Sequence, residues 1–226
     1  MRPMTFVISY AAASAVSIAA LQTLGTAGSL TLNGPLAKAY NPMTGVVDNA
    51  PLTQVATLLQ QGRVTLTSAN NLSAVTFTIT GTDSGGNVVS ETIAGPNAST
   101  VTSAKSYSTI TSIRTNGAVT AVSVGTANYG ETNFLPTDIY VRNQLLAIQV
   151  DVLSGAPNYS MTFTDDDPFN PSITPNEQAI NASLTGATTT VNYQSTQIMR
   201  ALKFYLNSAT VGASSVRVTI TQQSTR

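Results

Sequence analysis

The sequence has 226 residues and a formal net charge of zero, because ten basic residues balance ten acidic ones. Charged residues make up 9% of the chain, against about a quarter in typical soluble domains, so its surface has no field to attract nucleic acid or an anionic membrane. It contains no Cys and no His, which excludes disulfides, a thiolate nucleophile and the commonest general base and transition-metal ligand. A carboxylate pair or a carboxylate calcium site remains open.

The first 28 residues form a nearly uncharged segment with two interpretations. An early Arg and a run of small and apolar residues over 11–21 are typical of a secretory signal. That run is too short to span a bilayer, and Ser14 and Ser17 interrupt it. We therefore expect residues 1–28 to be an N-terminal arm or first strand that packs against something, with a signal peptide as the alternative.

One helix is predicted, in the stretch "PLTQVATLLQQG" over residues 51–62. Its apolar residues from Leu52 to Leu59 follow helical spacing, and Gly62 is suited to end the helix.

Strand patterns dominate from residue 62 onward. The stretch "AVTFTIT" (74–80) alternates apolar side chains with Thr, the period of two typical of a half-buried strand. Asp83 to Asn87 predicts a hairpin turn, residues 95–97 a corner, and Asn116-Gly117 a second hairpin turn. Short strands separated by Gly, Pro and Asn turns indicate a sandwich or a barrel.

An internal repeat suggests how these strands are grouped. An ungapped alignment of residues 64–78 with 150–164 places Thr76-Phe77-Thr78 on Thr162-Phe163-Thr164. We therefore expect an all-β fold of two tandem β-sandwich modules, Ig-like or jelly-roll-like, with an N-terminal arm. The expected boundaries are an arm or first strand at 1–28, a first module at 29–130 and a second module at 131–226.

The densest charge lies in "TFTDDDPFNP" (162–171), where Asp165, Asp166 and Asp167 could supply oxygen ligands to calcium. The alternating ligands, central Gly and distal Glu of an EF-hand are missing. A solvated turn, in which the Asp side chains bond nearby backbone amides, is the favoured interpretation. Phe169, between two prolines, is expected to hold this loop against the sandwich or a neighbouring subunit.

Glu91 interrupts an apolar strand face that it shares with Val89 and Ile93. Catalysis by a carboxylate pair would need a partner at a defined separation, and a hairpin turn does not place Asp83 reliably. We expect Glu91 to lie on an edge strand, where a charge blocks unwanted sheet pairing. Tyr140 is one of several scattered tyrosines suited to contact a protein partner or a sugar.

Several stretches resemble a group of small β-rich virion structural proteins of tailed bacteriophages. The most specific is "TITGTDSGGNVVSETIAGPNAS" (78–99), within a longer match over 63–126. Further matches are "LTLNG" (30–34), "PTDIYV" (136–141), "NYSMTFTDDDPFNP" (158–171) and "VRVTITQQ" (216–223). The resemblance implies a non-enzymatic capsid decoration, head-tail connector or tail accessory protein, and it carries no catalytic motif.

The resemblance and the composition together define the expected function. We expect an oligomeric protein of the virion, assembled in the host cytoplasm, whose partners are copies of itself and other capsid, portal or tail proteins. Neither a cofactor nor contact with nucleic acid or membrane is expected. Two alternatives stay open: a carbohydrate- or receptor-binding β-module, and a carboxylate hydrolase that uses Asp165, Asp166, Asp167 or Glu91.

Overall fold

The computed structural model describes residues 4–10, 12–39, 54–140, 144–170, 172–206 and 213–224. Within these ranges the chain contains strands, turns and one 3-10 turn (Ala182–Leu184), and no α-helix. Every strand pairing among them is antiparallel. This confirms the all-β class, in the form of several antiparallel sheets.

The chain divides into two compact units with separate hydrophobic cores. The insert unit comprises Ala12–Asn128, and the terminal unit comprises Met1–Ala11 together with Tyr129–Arg226. The boundaries expected from the sequence were 28/29 and 130/131, whereas the units divide at 11/12 and 128/129. One segment of the chain is therefore inserted into a unit formed by the segments on either side of it.

The terminal unit contains two sheets. The first has the order β1-β17-β12-β15 and the second the order β10-β16-β13-β14, with β11 also paired to β16. Their bounds are β1 Met4–Tyr10, β10 Gly130–Glu131, β11 Leu135–Pro136, β12 Gln144–Ser154, β13 Tyr159–Thr164, β14 Gln178–Ala179, β15 Val191–Ser195, β16 Ala201–Leu206 and β17 Ser214–Ser224. Strands of both sheets contribute to one core, because each alternates inward apolar with outward polar residues. In β17, for example, Val216 and Val218 are buried and Arg217 is exposed.

Strand β1 completes this unit from a distant part of the sequence. It pairs with β17 along its whole length, from Met4 opposite Ile220 to Tyr10 opposite Ser214. Ile8 is 1% exposed in the core, and Phe6 packs against the same core. Residues 4–10 are thus an integral strand of the sheet.

The insert unit has one sheet of eight strands, in the order β2-β9-β5-β8-β6-β7, with β3 on β8 and β4 on β5. Their bounds are β2 Ser14–Leu24, β3 Gly28–Ser29, β4 Ala37–Ala39, β5 Gln54–Asn71, β6 Thr76–Thr82, β7 Val88–Ala94, β8 Asn97–Thr115 and β9 Val119–Thr126. The long strands β5 and β8 each pair with more than one strand. Residues 97–110 of β8 pair with β5 and residues 109–115 pair with β6. The strands of this sheet contribute to the core of the unit.

The helix predicted over 51–62 is wrong for its described part, because residues from 54 onward form β5. Burial there alternates with a period of two: Ala56 and Leu58 are buried, whereas Leu59 is 77% exposed. Pairing of this segment with both β4 and β8 satisfies its backbone groups in the sheet and overrides its helical spacing.

The two hairpin predictions have different outcomes. Asp83–Asn87 closes the predicted hairpin between β6 and β7. There the Asp83 carboxylate accepts hydrogen bonds from the amides of Gly85 and Asn87, and Gly86 has a φ of +83°. The hairpin predicted at Asn116-Gly117 is wrong, because β8 and β9 lie on opposite sides of β5.

The burial of Ile8 predicts the effect of shortening it. Ile8→Ala should lower the free energy of unfolding of the terminal unit by about 2–4 kcal/mol, since it leaves a cavity in a packed core. Val7→Ala, at the adjacent 53% exposed residue, should change it by less than about 0.5 kcal/mol. Chemical denaturation with hydrogen exchange of residues 144–224 measures both. Equally small changes in the free energy of unfolding for the two variants would contradict the placement of β1 in this sheet.

Candidate functional site

Three loops of the terminal unit form the strongest candidate for a functional site, named here the loop surface: residues 137–140, residues 165–170 with 172–176, and residues 196–200. The backbone of Arg200 joins them, since its amide donates to the carbonyl of Thr164 and its carbonyl accepts from the amide of Thr137, both at 3.0 Å. The buried Gln222 side chain fixes the first loop through two hydrogen bonds to the backbone of Asp138. These bonds tie the loops to strands β13, β16 and β17.

The acidic run lies in the second loop, and its carboxylates point to different partners. Asp166 accepts a 2.7 Å hydrogen bond from the amide of Asn176. Asp167 accepts from the amide of Phe169 and forms a 2.9 Å ion pair with Arg200. Within the described part of the chain, no three acidic side chains are grouped as a metal site. The observed bonds are those of a turn that Asp side chains organise.

Apolar side chains are exposed in all three loops. They are Ile139 (38% exposed), Tyr140 (91%), Phe169 (61%), Ile173 (41%) and Ile198 (63%). A shallow cleft of about 430 Å³ lies between the loops and is lined by Ile139, Asp165, Ile198 and Arg200. The structure thus brings the Tyr140 loop and the loop of Asp165–Asp167 to one surface.

Glu91 lies in the insert unit, in a strand that pairs on one side only among the described residues. Its carboxylate accepts hydrogen bonds from the amides of Ala104 (2.9 Å) and Lys105 (3.0 Å). These amides lie at a register shift in the β5–β8 ladder, between the pair Thr65–Thr102 and the pair Arg63–Ser106. The Lys105 ammonium donates to the carbonyl of Ser90 in β7. Glu91 and Lys105 therefore hold the edge strand β7 to β8 at this register shift.

Tyr107, just beyond this register shift, is fully buried. Burial is the main cause that raises the pKa of its phenol, and the nearby Glu91 carboxylate raises it further. The phenol therefore stays neutral and forms part of the core.

A cluster of charged and aromatic side chains covers the outer face of β16 and was not anticipated from the sequence. The Lys203 ammonium lies 3.5 Å from Glu131 Oε1 and 3.7 Å from Glu177 Oε1. It also lies 4.9 Å from the ring centroid of Tyr205 and 5.3 Å from that of Phe134. Both distances are within cation–π range. One cation is thus held between two carboxylates and two rings.

Hydroxyl groups complete this cluster. Tyr205 and Thr162 donate to Glu177, and Tyr129 donates to Glu131. Burial, followed by the two carboxylates, raises the pKa of the Tyr205 phenol. Because these groups satisfy one another, the cluster is suited to stabilise the sheet.

A polar depression of about 370 Å³ lies on the sheet that contains β12, β15 and β17. Its lining includes Gln149, Asn192, Gln194, Thr219 and Thr221. Tyr193 also borders it, but this side chain packs against the core of the terminal unit. Amides and hydroxyls are therefore present, whereas the ring that would stack on a sugar is turned inward.

No protein-family model matches the chain, and no curated protein matches it. In the described ranges, no helix is long and apolar enough to cross a membrane.

The role of Glu91 at the register shift between β5 and β8 can be tested directly. Glu91→Ala should lower the free energy of unfolding by about 1–3 kcal/mol, because two backbone amides lose a charged hydrogen-bond acceptor. Hydrogen exchange at Ala104 and Lys105 should accelerate together. Ser90→Ala, the adjacent exposed residue, serves as the matched control, with an expected change below about 0.5 kcal/mol. Unchanged exchange at the two amides in Glu91→Ala would contradict this role.

Proposed function

We propose that this chain is a non-enzymatic, oligomeric structural protein of a tailed-bacteriophage virion, in a capsid decoration, head-tail connector or tail accessory role. The observation that carries the proposal is the loop surface, where apolar side chains from three loops are exposed beside paired charges. The partner that binds the loop surface is a second copy of the chain, and other virion proteins are further partners.

The exposed apolar groups support a protein contact. A solvent-facing Ile, Phe or Tyr is common when isolated, but apolar groups gathered in one place mark interaction surfaces. Tyr140 and Phe169 offer large, rigid contact areas of the kind enriched at the centres of interfaces. Burying them against a partner would remove this apolar area from water.

The charges of the cleft favour a second copy as the partner. Asp165 and Arg200 line the same cleft, so the surface presents one acidic and one basic group side by side. In a two-fold contact the same patch meets itself, and the acid of each copy can face the base of the other. The zero net charge of the chain adds no repulsion between copies.

The fold supports the expected modular architecture. In the terminal unit two sheets contribute to one core, which is the arrangement of a β-sandwich module. In the insert unit the strands of one eight-stranded sheet contribute to a second core. Two β-sandwich modules are therefore part of the proposal.

The resemblance to virion proteins is the basis for the virion assignment. Its most specific stretch, residues 78–99, forms most of the β6–β7 hairpin and the start of β8. The hydrogen bonds of Asp83 and Glu91 in this stretch go to the backbone of the same unit. This use of polar side chains is what a structural module needs.

Ile198→Asp should weaken self-association at least tenfold, because it places a charge in the apolar part of the loop surface. Leu59→Asp introduces the same charge at an exposed aliphatic residue of the insert unit and should leave association unchanged. Sedimentation velocity over a concentration series measures both variants. Equal self-association of the two variants would assign the contact between copies to another surface.

Quantitative mass spectrometry of gradient-purified virions tests the virion assignment. The proposal predicts that the protein co-purifies with the particles at a fixed copy number relative to the major capsid protein. Its presence only in the soluble lysate would contradict the assignment, whatever its oligomeric state.

A further inference from the structure

We infer that β1 is an exchangeable strand: in the assembled protein, β1 of one copy pairs with β17 of a second copy in the register observed within one chain. The inference rests on the proposed self-association and identifies a second element that joins the copies, separate from the loop surface.

Strand β1 binds in the manner of a peptide added to a sheet edge. Among the described residues it pairs with β17 alone, through a continuous register from Met4 to Tyr10. Backbone hydrogen bonds supply affinity in this mode, and pockets for alternate side chains supply specificity. The buried Ile8 and the partly buried Phe6 are those alternate side chains.

The acceptor edge for β1 is supplied by one continuous stretch of the chain. Residues 129–226 supply β17, the other strands of both sheets and all remaining members of the core. The intervening residues 12–128 pack around their own core. Each copy therefore carries one donor strand and one acceptor edge, and both are identical in every copy. Exchange between copies preserves each contact of the closed form.

The connection after β1 favours exchange. Only residues 11–13 separate β1 from β2, and such a segment spans at most about 14 Å between Tyr10 and Ser14. Short connections of this kind are among the features that lead to exchange of a terminal element between copies. Since closed and exchanged forms share the same contacts, the concentration of copies decides between them. An assembly maximises that concentration.

A disulfide reporter distinguishes the two forms, because the chain has no Cys of its own. Thr5 and Thr219 lie opposite each other on β1 and β17, with their hydroxyl oxygens 3.2 Å apart. The double variant T5C/T219C therefore links whichever β1 occupies the edge of β17. The control is Q149C/T219C, since Gln149 lies opposite Thr219 on its other side, in β12. Both control residues belong to the continuous stretch 129–226, so exchange of β1 leaves their link within one chain.

Each variant is assembled, oxidised and run on a non-reducing gel, while light scattering gives its mass before denaturation. The inference predicts covalent dimers or larger species for T5C/T219C and monomer mobility for Q149C/T219C. An oligomer in which T5C/T219C links only within chains would overturn the exchange and leave the proposed self-association standing. A monomer with intrachain links in both variants would overturn both. Interchain links in the control would assign exchange to more than β1 and overturn the inference as stated.

Discussion

The terminal unit depends on the pairing of β1 with β17. This pairing joins residues more than 200 positions apart in the sequence, from Met4 and Ile220 to Tyr10 and Ser214. It also brings Ile8 into a core that is otherwise formed by residues 129–226. Because loop closure must precede such a contact, the unit can be completed only after the rest of the chain is in place. During synthesis β1 emerges before β17 and cannot form this pairing until β17 follows.

The chain satisfies its polar groups with few charges. Hydroxyl pairs bridge neighbouring strands on the exposed faces, as between Thr78 and Thr92 (3.0 Å) or Thr67 and Thr100 (2.9 Å). Such cross-strand pairs stabilise a sheet without adding charge. The Glu91 carboxylate instead binds two backbone amides at the register shift between β5 and β8. The resulting surface can approach another copy without desolvating many ions, which is expensive when the ions are left unpaired.

Local patterns predicted the strand content and the tight turn, and they were insufficient where long-range pairing decides. The Asp83–Asn87 hairpin was predictable because its turn chemistry is contained in adjacent residues. The spacing of Leu52 to Leu59 fitted a helix, but pairing with β4 and β8 places Leu58 inward and Leu59 outward. Asn116-Gly117 carries a hairpin signal, yet β5 lies between the two strands that it connects.

The candidate sites show the same limit. Sequence reasoning singled out Tyr140 and Phe169, and the acidic run, but not the backbone bonds of Arg200 that bring their loops together. The cluster around Lys203 was not predicted, because its charged members lie at positions 131, 177 and 203 and come together only through the order of the strands in the sheet. The sequence feature that could have pointed to Lys203 is a single charged residue within a strand of alternating apolar residues. Glu91 shows the same feature.

The solution mass of the 226-residue wild-type chain tests the central claim of self-association most directly. Light scattering across micromolar concentrations should give a stable integer multiple of the 23.4 kDa chain mass, greater than one. A mass of 23.4 kDa at every concentration would contradict the account.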